Sequence, residues 1–243
     1  MTNGRGRHSG LPWIVILAGV AACCMIGMIC VICPVGAVGV FLLSRSATSQ
    51  SAVEPVPPPA PTSSDPDTWR QAGDANAKVV VEEFADYQCP YCAGFHSDGE
   101  PEFRAEYIQT GKVRFIFRNY PVLDGGNSPT GESHLAALGA LCAGEQGEYW
   151  EYHDALFENQ SGENSGGFAA PHLLEFALNL GLSGSTFDQC VKTKRYESVV
   201  DDDYRLGQGR DLRGVPTFFI NGKAVEGFDK SGFFDAIDQA LSE

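Results

Sequence analysis

Two cysteines three residues apart, Cys89 and Cys92, enclose Pro90 and Tyr91 in the stretch DYQCPYCAGFH, Asp86 to His96. Thiols at this spacing can close a small disulfide ring, exchange it with another thiol, or supply half of a metal site. A structural zinc needs four ligands, commonly a second cysteine pair or two histidines at short spacing. Cys142 and Cys190 are single and far apart, and His134 and His153 have no partner at such a spacing, so no metal is expected. Exchange chemistry remains. The thiolate is the nucleophile, and Cys89, placed just before a helix that Pro90 is suited to start, would face free backbone N–H groups that lower its pKa. Cys92, one turn further in, would be less exposed and would close the ring. The acidic neighbours Glu82, Glu83 and Asp86 act in the opposite direction if they are near and ionised.

The elements that must hold this pair are legible from periodicity. AKVVVEEFAD reads as a strand that ends in Phe84, before a turn at Gln88 to Pro90, and KVRFIFRNYPV reads as a second strand, with Val113, Phe115 and Phe117 alternating with Arg114, Ile116 and Arg118. The segment between them has the length and makeup of a helical connection, which makes a β-α-β unit. About 80 residues of helical pattern follow: GESHLAALGALCAGEQ, EYWEYHDALFEN, PHLLEFALNLG and STFDQCVKTKRYESVVDDDYRLGQG. The chain closes with GVPTFFINGKAVEG, two short strands around Asn221-Gly222, and then the amphipathic SGFFDAIDQALSE. Asn-Gly between apolar runs is a strong hairpin signal.

VEEFADYQCPYC, a helical insertion, GVPTFFING and a final helix together resemble the DsbA-type disulfide oxidoreductases of the thioredoxin superfamily, from about Val79 to the C-terminus. The resemblance implies an α/β fold, a thioredoxin fold with a helical-domain insertion. It implies that Cys89 and Cys92 are catalytic, that Pro90 and Tyr91 tune them, and that Pro216, preceded by Val215, is cis and lies against the pair. Glu83 matches by position the buried acid that accepts a proton from the second thiol; an exposed edge-strand carboxylate is the other reading. Pro-Tyr stands where strongly oxidising relatives have Pro-His, and CPYC also resembles the glutaredoxin motif. His96 falls on the face of Cys89 and reads as an exposed surface histidine rather than a catalytic one. Cys142 and Cys190 read either as two buried free thiols or, in an oxidising compartment, as a pair. Some relatives carry a second disulfide in this region, so a structural Cys142–Cys190 bridge is expected.

The chain has 243 residues, and its first quarter is not part of a folded core. Residues 11–43 contain no charged side chain and no Asn, Gln or His, longer than the ~20 apolar residues a spanning helix needs. A cleaved signal is shorter, so a retained anchor is expected. VAAC, Val20 to Cys23, resembles a lipoprotein processing box, but 20 further apolar residues follow it. Arg5, Arg7 and His8 precede the segment and Arg45 alone follows it, which puts residues 1–10 in the cytoplasm. Residues 44–67 hold six prolines among Ser, Thr and Ala, a disordered Pro/Ser-rich linker. Residues 68–243 form the thioredoxin-like domain, with the helical insertion at about 126–208. Removing the first 64 residues, with three basic and one acidic side chain, from the totals of 17 and 31 leaves a domain of about −16. That field repels nucleic acid and anionic lipid.

The expected activity is extracytoplasmic thiol-disulfide exchange at the cell membrane, oxidising cysteine pairs of secreted or cell-surface proteins, without a cofactor and with a monomeric catalytic domain. The resemblance implies a membrane redox partner of the DsbB or vitamin K epoxide reductase type. The alternatives are a reductase or isomerase fed by a membrane electron donor, and a non-catalytic tethered peptide-binding or chaperone module.

Overall fold

Val79–Ala85 (β2) is buried along nearly its whole length because it is the central strand of a five-stranded sheet with the order β1-β3-β2-β4-β5. The computed structural model describes residues 63–243, and the expected anchor and most of the expected linker lie outside them. Strand β3 (Val113–Asn119) runs parallel to β2, pairing Val79 with Val113 and Ala85 with Asn119. Strands β4 (Thr217–Ile220) and β5 (Lys223–Glu226) add antiparallel on the other side. Asn221 and Gly222 join them with φ of 46° and 83°, the left-handed pair that a two-residue hairpin turn requires. Asn221 also accepts from the Val80 N–H at 2.8 Å and donates its own N–H to the Val80 carbonyl, which locks the hairpin onto β2.

The crossover from β2 to β3 is helical but not one helix. Helix α2 (Pro90–Asp98) ends at Gly99, α3 (Glu100–Phe103) follows, and Arg104–Ile108 form a π-helical turn. Pro101 has no N–H for an i−4 bond and stops the first helix there. A side chain at Gly99 would meet the Phe228 ring at 2.4 Å, so glycine permits the close approach. Behind α2, Phe95 packs on Phe218, Phe233 and Phe228 with ring centroids 4.8, 5.3 and 5.1 Å away. These edge-on aromatic contacts fasten the helix to β4 and to the closing helix α9 (Lys230–Ser242).

Between β3 and β4 lie α4 (Glu132–Gly144), α5 (Tyr149–Glu158), α6 (Ala170–Asn179), α7 (Gly184–Lys192) and α8 (Glu197–Gln208). The last two were expected as one run. Lys194, at φ 50°, turns the chain between them, and the Arg195 N–H bonds back to the Cys190 carbonyl at 3.1 Å, a left-handed helix ending without glycine. Cys142 on α4 and Cys190 on α7 are joined, with an S–S distance of 2.03 Å.

Two short elements precede the sheet core. Pro66–Trp69 forms one helical turn, α1, capped by the Asp65 carboxylate on the Asp67 N–H, and it buries Trp69; Gln71–Ala72 is β1, antiparallel to β3. Arg70, 2% exposed, pairs there with Asp203 of α8, which also accepts from the Asn119 N–H at 3.0 Å. Among the described residues no helix is long and apolar enough to cross a membrane.

Candidate active site

Cys89 is the N-cap residue of α2, with extended backbone at φ −74° and ψ 121°, and Pro90 opens the first turn. The cap geometry is held from three sides. The Cys89 N–H donates to the Asp86 carbonyl at 3.0 Å, the Cys89 carbonyl accepts from Ala93 N–H at 3.1 Å, and the Gln160 amide reaches the same carbonyl at 3.1 Å. Beneath the turn, the buried Asp86 carboxylate accepts from the N–H groups of Gln88 and Leu123 at 2.9 and 3.0 Å. Both sulfurs are free thiols, Cys89 being 4% exposed and Cys92 fully buried.

The two thiols differ sharply. The Cys92 thiol donates to the Cys89 sulfur, and this contact lowers the Cys89 pKa from an ordinary 9.0 to about 7; burial raises it, the N–H groups of Cys92 and Tyr91 lower it, and the charge of Asp86 raises it. Neither N–H closes a full capping bond to the sulfur, so they act as helix-start dipoles. For Cys92, burial comes first and drives its pKa well above the ordinary value, helped by the neighbouring Cys89 and by Glu83. Of the three acidic neighbours, Asp86 acts directly on Cys89. Glu82 points to the other face of β2, bound by Arg118 and Arg210 at 3.0 and 2.7 Å.

The structure puts Glu83 in the interior, 1% exposed on the central strand, with Oε1 lacking any hydrogen-bond partner. Burial raises its pKa well above a normal carboxylate, reinforced by the charges of Glu100 and Cys89. Its charged form is thus disfavoured at a position close enough to Cys89 to feel that sulfur's charge.

From the far end of the insertion, the Val215–Pro216 peptide is cis and reaches the pair. The Cys89 thiol lies 3.5 Å from the Val215 carbonyl oxygen. A groove of about 510 Å³ opens beside it, lined by Pro90, Tyr91, Arg213, Val215, Pro216 and Phe228. Tyr91 stands at its rim, 75% exposed.

His96 is not on the exposed surface as expected. Its side chain is 16% exposed, and Nδ1 lies 2.8 Å from Glu100. Glu100, 2% exposed, also takes the Arg104 guanidinium at 2.7 Å, and Arg104 bridges to Asp154 at 2.7 Å. His153 stands 3.8 Å from the same carboxylate. Burial opposes the charge on Glu100, but His153, His96 and Arg104 outweigh it and hold Glu100 ionised far below its usual range. This cluster was missed because His153 comes from α5, more than fifty residues beyond His96; the only signal in the chain was the four-residue step from His96 to Glu100.

Comparison with known proteins agrees with this geometry. The thioredoxin family model, described as "Thioredoxin", matches residues 65–239. Disulfide bond formation protein D of Bacillus subtilis is 31% identical over 160 residues, 64% of this chain and 69% of the relative. The Na(+)/H(+) antiporter NhaA 3 of Salinispora tropica is 31% identical over 163 residues, 67% of this chain, but the chain spans only 23% of the antiporter's length. Among solved structures, oxidised BdbD from Bacillus subtilis superposes with a TM-score of 0.65 at 28% identity, covering 72% of this chain and 93% of that one. This chain's cysteine pair caps the helix after the central strand with a cis-proline loop against it, and the chain belongs to the thioredoxin family, among its DsbA-like disulfide oxidoreductases.

Proposed function

We propose that the protein oxidises cysteine pairs of secreted or cell-surface proteins through a Cys89–Cys92 disulfide. A substrate thiolate attacks the Cys89 sulfur, the ring S–S bond breaks, and Cys92 leaves with its electron pair, taking a proton from the neutral Glu83 carboxyl. A second substrate thiolate then attacks the substrate sulfur of the mixed disulfide and releases Cys89 as thiolate. The substrate loses two electrons and the enzyme gains them. The observation that carries the reading is the asymmetry of the thiols, Cys89 at about 7 and Cys92 well above its ordinary value, which makes Cys89 the better leaving group and the exchanging sulfur.

Val215 and Pro216 supply the wall against which an extended substrate backbone lies, while Pro90 and Tyr91 set the helix start. Residues 11–43 act as a single-pass anchor and 44–67 as a tether, with the catalytic domain extracytoplasmic. A membrane protein of the DsbB or vitamin K epoxide reductase type reoxidises the pair. The Bacillus relative is a disulfide bond formation protein, which supports the oxidising direction.

One observation favours the opposite direction. A Cys89 pKa of about 7 matches the ~7 of thioredoxin rather than the ~3.5 of DsbA. Equilibration of the full-length protein in detergent with glutathione buffers decides between the two. A midpoint above ~−200 mV supports oxidation, and one near the ~−270 mV of thioredoxin turns the assignment to a reductase. With Cys92→Ser, mixed disulfides should accumulate through Cys89; their absence would refute the exchange chemistry itself.

A further inference from the structure

Outside the dithiol, His96, Glu100, His153 and Asp154 bring one ligand atom each within 4.8 Å of one another. The first two come from α2 and α3, the others from α5, so the cluster straddles the catalytic helix and the insertion. His153 is the informative member. Its side chain is 1% exposed, Nε2 has no hydrogen-bond partner, and that atom faces the Glu100 carboxylate at 3.8 Å. A buried polar atom left unpaired is costly and calls for an explanation. Its other nitrogen, Nδ1, lies 3.1 Å from the Tyr87 hydroxyl. With Nε2–H facing Glu100 the contact is too long for a hydrogen bond; in the tautomer that a metal would select, Nδ1–H donates to the Tyr87 oxygen and the Nε2 lone pair points toward Glu100, as a metal-ligating imidazole is usually held by its surroundings.

We propose that His96, Glu100, His153 and Asp154 form a binding site for a borderline divalent transition metal, zinc foremost, that fastens the catalytic helix to the helical insertion. Two imidazoles and two carboxylates suit zinc, cobalt or nickel, whereas calcium and magnesium take oxygen ligands. Tetrahedral zinc with bonds of ~2.0–2.2 Å sets its ligand atoms about 3.4 Å apart. The His96–Glu100 and His153–Glu100 separations, 2.8 and 3.8 Å, bracket that spacing. The Arg104 guanidinium presents a positive charge to both carboxylates, and its side chain, 29% exposed, must swing outward when metal enters. Arg104 is therefore a competitor whose removal should tighten the site.

The test uses the full-length protein in detergent, stripped with chelator and oxidised so that Cys89 and Cys92 are bonded to each other. It is titrated with zinc chloride by calorimetry and with cobalt chloride by visible absorption. One equivalent of zinc is expected whose affinity falls at least tenfold in His96→Ala and in Glu100→Gln, falls about 10–100-fold in Tyr87→Phe, and rises in Arg104→Ala. Zinc should also raise the melting temperature of the wild type and not that of His96→Ala. His96, at 16% exposure nearer the surface than His153, carries the test because truncating His153 opens the core. No stoichiometric zinc binding, or equal affinity in wild type, His96→Ala and Glu100→Gln, would overturn the proposal, the second outcome assigning the metal to other residues of the chain.

Discussion

Replacing Tyr91 with histidine should make the pair more oxidising, and the size of the change follows from the thiolate population. With Cys89 at about 7, half of it is ionised at pH 7, which stabilises the reduced enzyme relative to an unperturbed thiol by less than about 1 kcal/mol, on the order of 10 mV for two electrons. Tyr91 occupies the first turn of α2 and carries no charge there. An imidazolium in its place is an opposite charge beside the thiolate, worth roughly one to three pKa units when close. Position 91 is 75% exposed, so water and salt screen the interaction, and one to two units is the working range. A Cys89 pKa of roughly 5 to 6 raises the stabilisation of the thiolate by about 1–2 kcal/mol and the midpoint by about 20–50 mV. The assay pairs glutathione equilibration at pH 7 with the pH dependence of Cys89 alkylation, each at low and high salt. The reasoning fails if alkylation shows the lower pKa while the midpoint stays put, because the thiolate would then not govern the redox balance.

Three further outcomes are expected. Glu83→Gln removes a buried acid whose pKa is raised, so its folding contribution is complete below the ordinary carboxylate pKa of 4.5 and is lost as pH rises toward the folded value. The variant should gain stability over wild type increasingly above pH 4.5 in urea unfolding, and its Cys92 should resolve mixed disulfides more slowly; equal stability at pH 4 and 8 would contradict the assignment. Replacing both Cys142 and Cys190 by Ala releases a link across a sequence separation of 48, and loop entropy of this size puts the loss at about 2–4 kcal/mol with exchange at Cys89 unchanged; a calorimetric melting temperature equal to wild type's would remove the bridge from the stability account. Asp203→Ala leaves the buried Arg70 with only the exposed Asp67 carboxylate as an acidic partner and frees the Asn119 N–H, which should cost about 3 kcal/mol in chemical unfolding, the low end for breaking a buried pair; a loss under about 1 kcal/mol would mean that Asp67 and water compensate Arg70 fully.

What the chain disclosed depended on how local the determining contacts are. Cys89, Pro90 and Cys92 lie within one turn, and the switch from a β-branched run to a helix start is visible between Val81 and Pro90. The Val215–Pro216 loop became legible only beside the family pattern, since nothing local ties Val215 to a sulfur 126 positions away. Glu83 stayed open between interior and edge because β2 becomes central only when β4 returns to it after the insertion. Helix α1 and strand β1, four and two residues long, are too short to show a period, and they form because Trp69 and Arg70 find burial against the insertion. The division between α7 and α8 carries no proline or glycine; Lys194 turns the chain there because α7 packs on α4 and α6 while α8 packs on α4 and β3.

The insertion does more than lengthen the domain, because α2 has two sides to secure. One is apolar: Phe95 is wedged among Phe218, Phe228 and Phe233, which ties the helix to the sheet. The other is polar: His96 and Glu100 meet Arg104, His153 and Asp154, which tie it to α5. Ion pairs set in a partly buried network hold a geometry better than isolated surface pairs do. The pKa of Cys89 depends on its position relative to the first N–H groups of α2, and those are effective only over about one turn. A shift of the helix would change the thiolate population, so the two anchors act on the chemistry through the placement of Cys89, and the charge of Glu100 adds to burial in raising the Glu83 pKa. The polar anchor thereby connects the insertion to the Cys89 thiol and to the Glu83 carboxyl, although none of its hydrogen bonds or ion pairs reaches a sulfur.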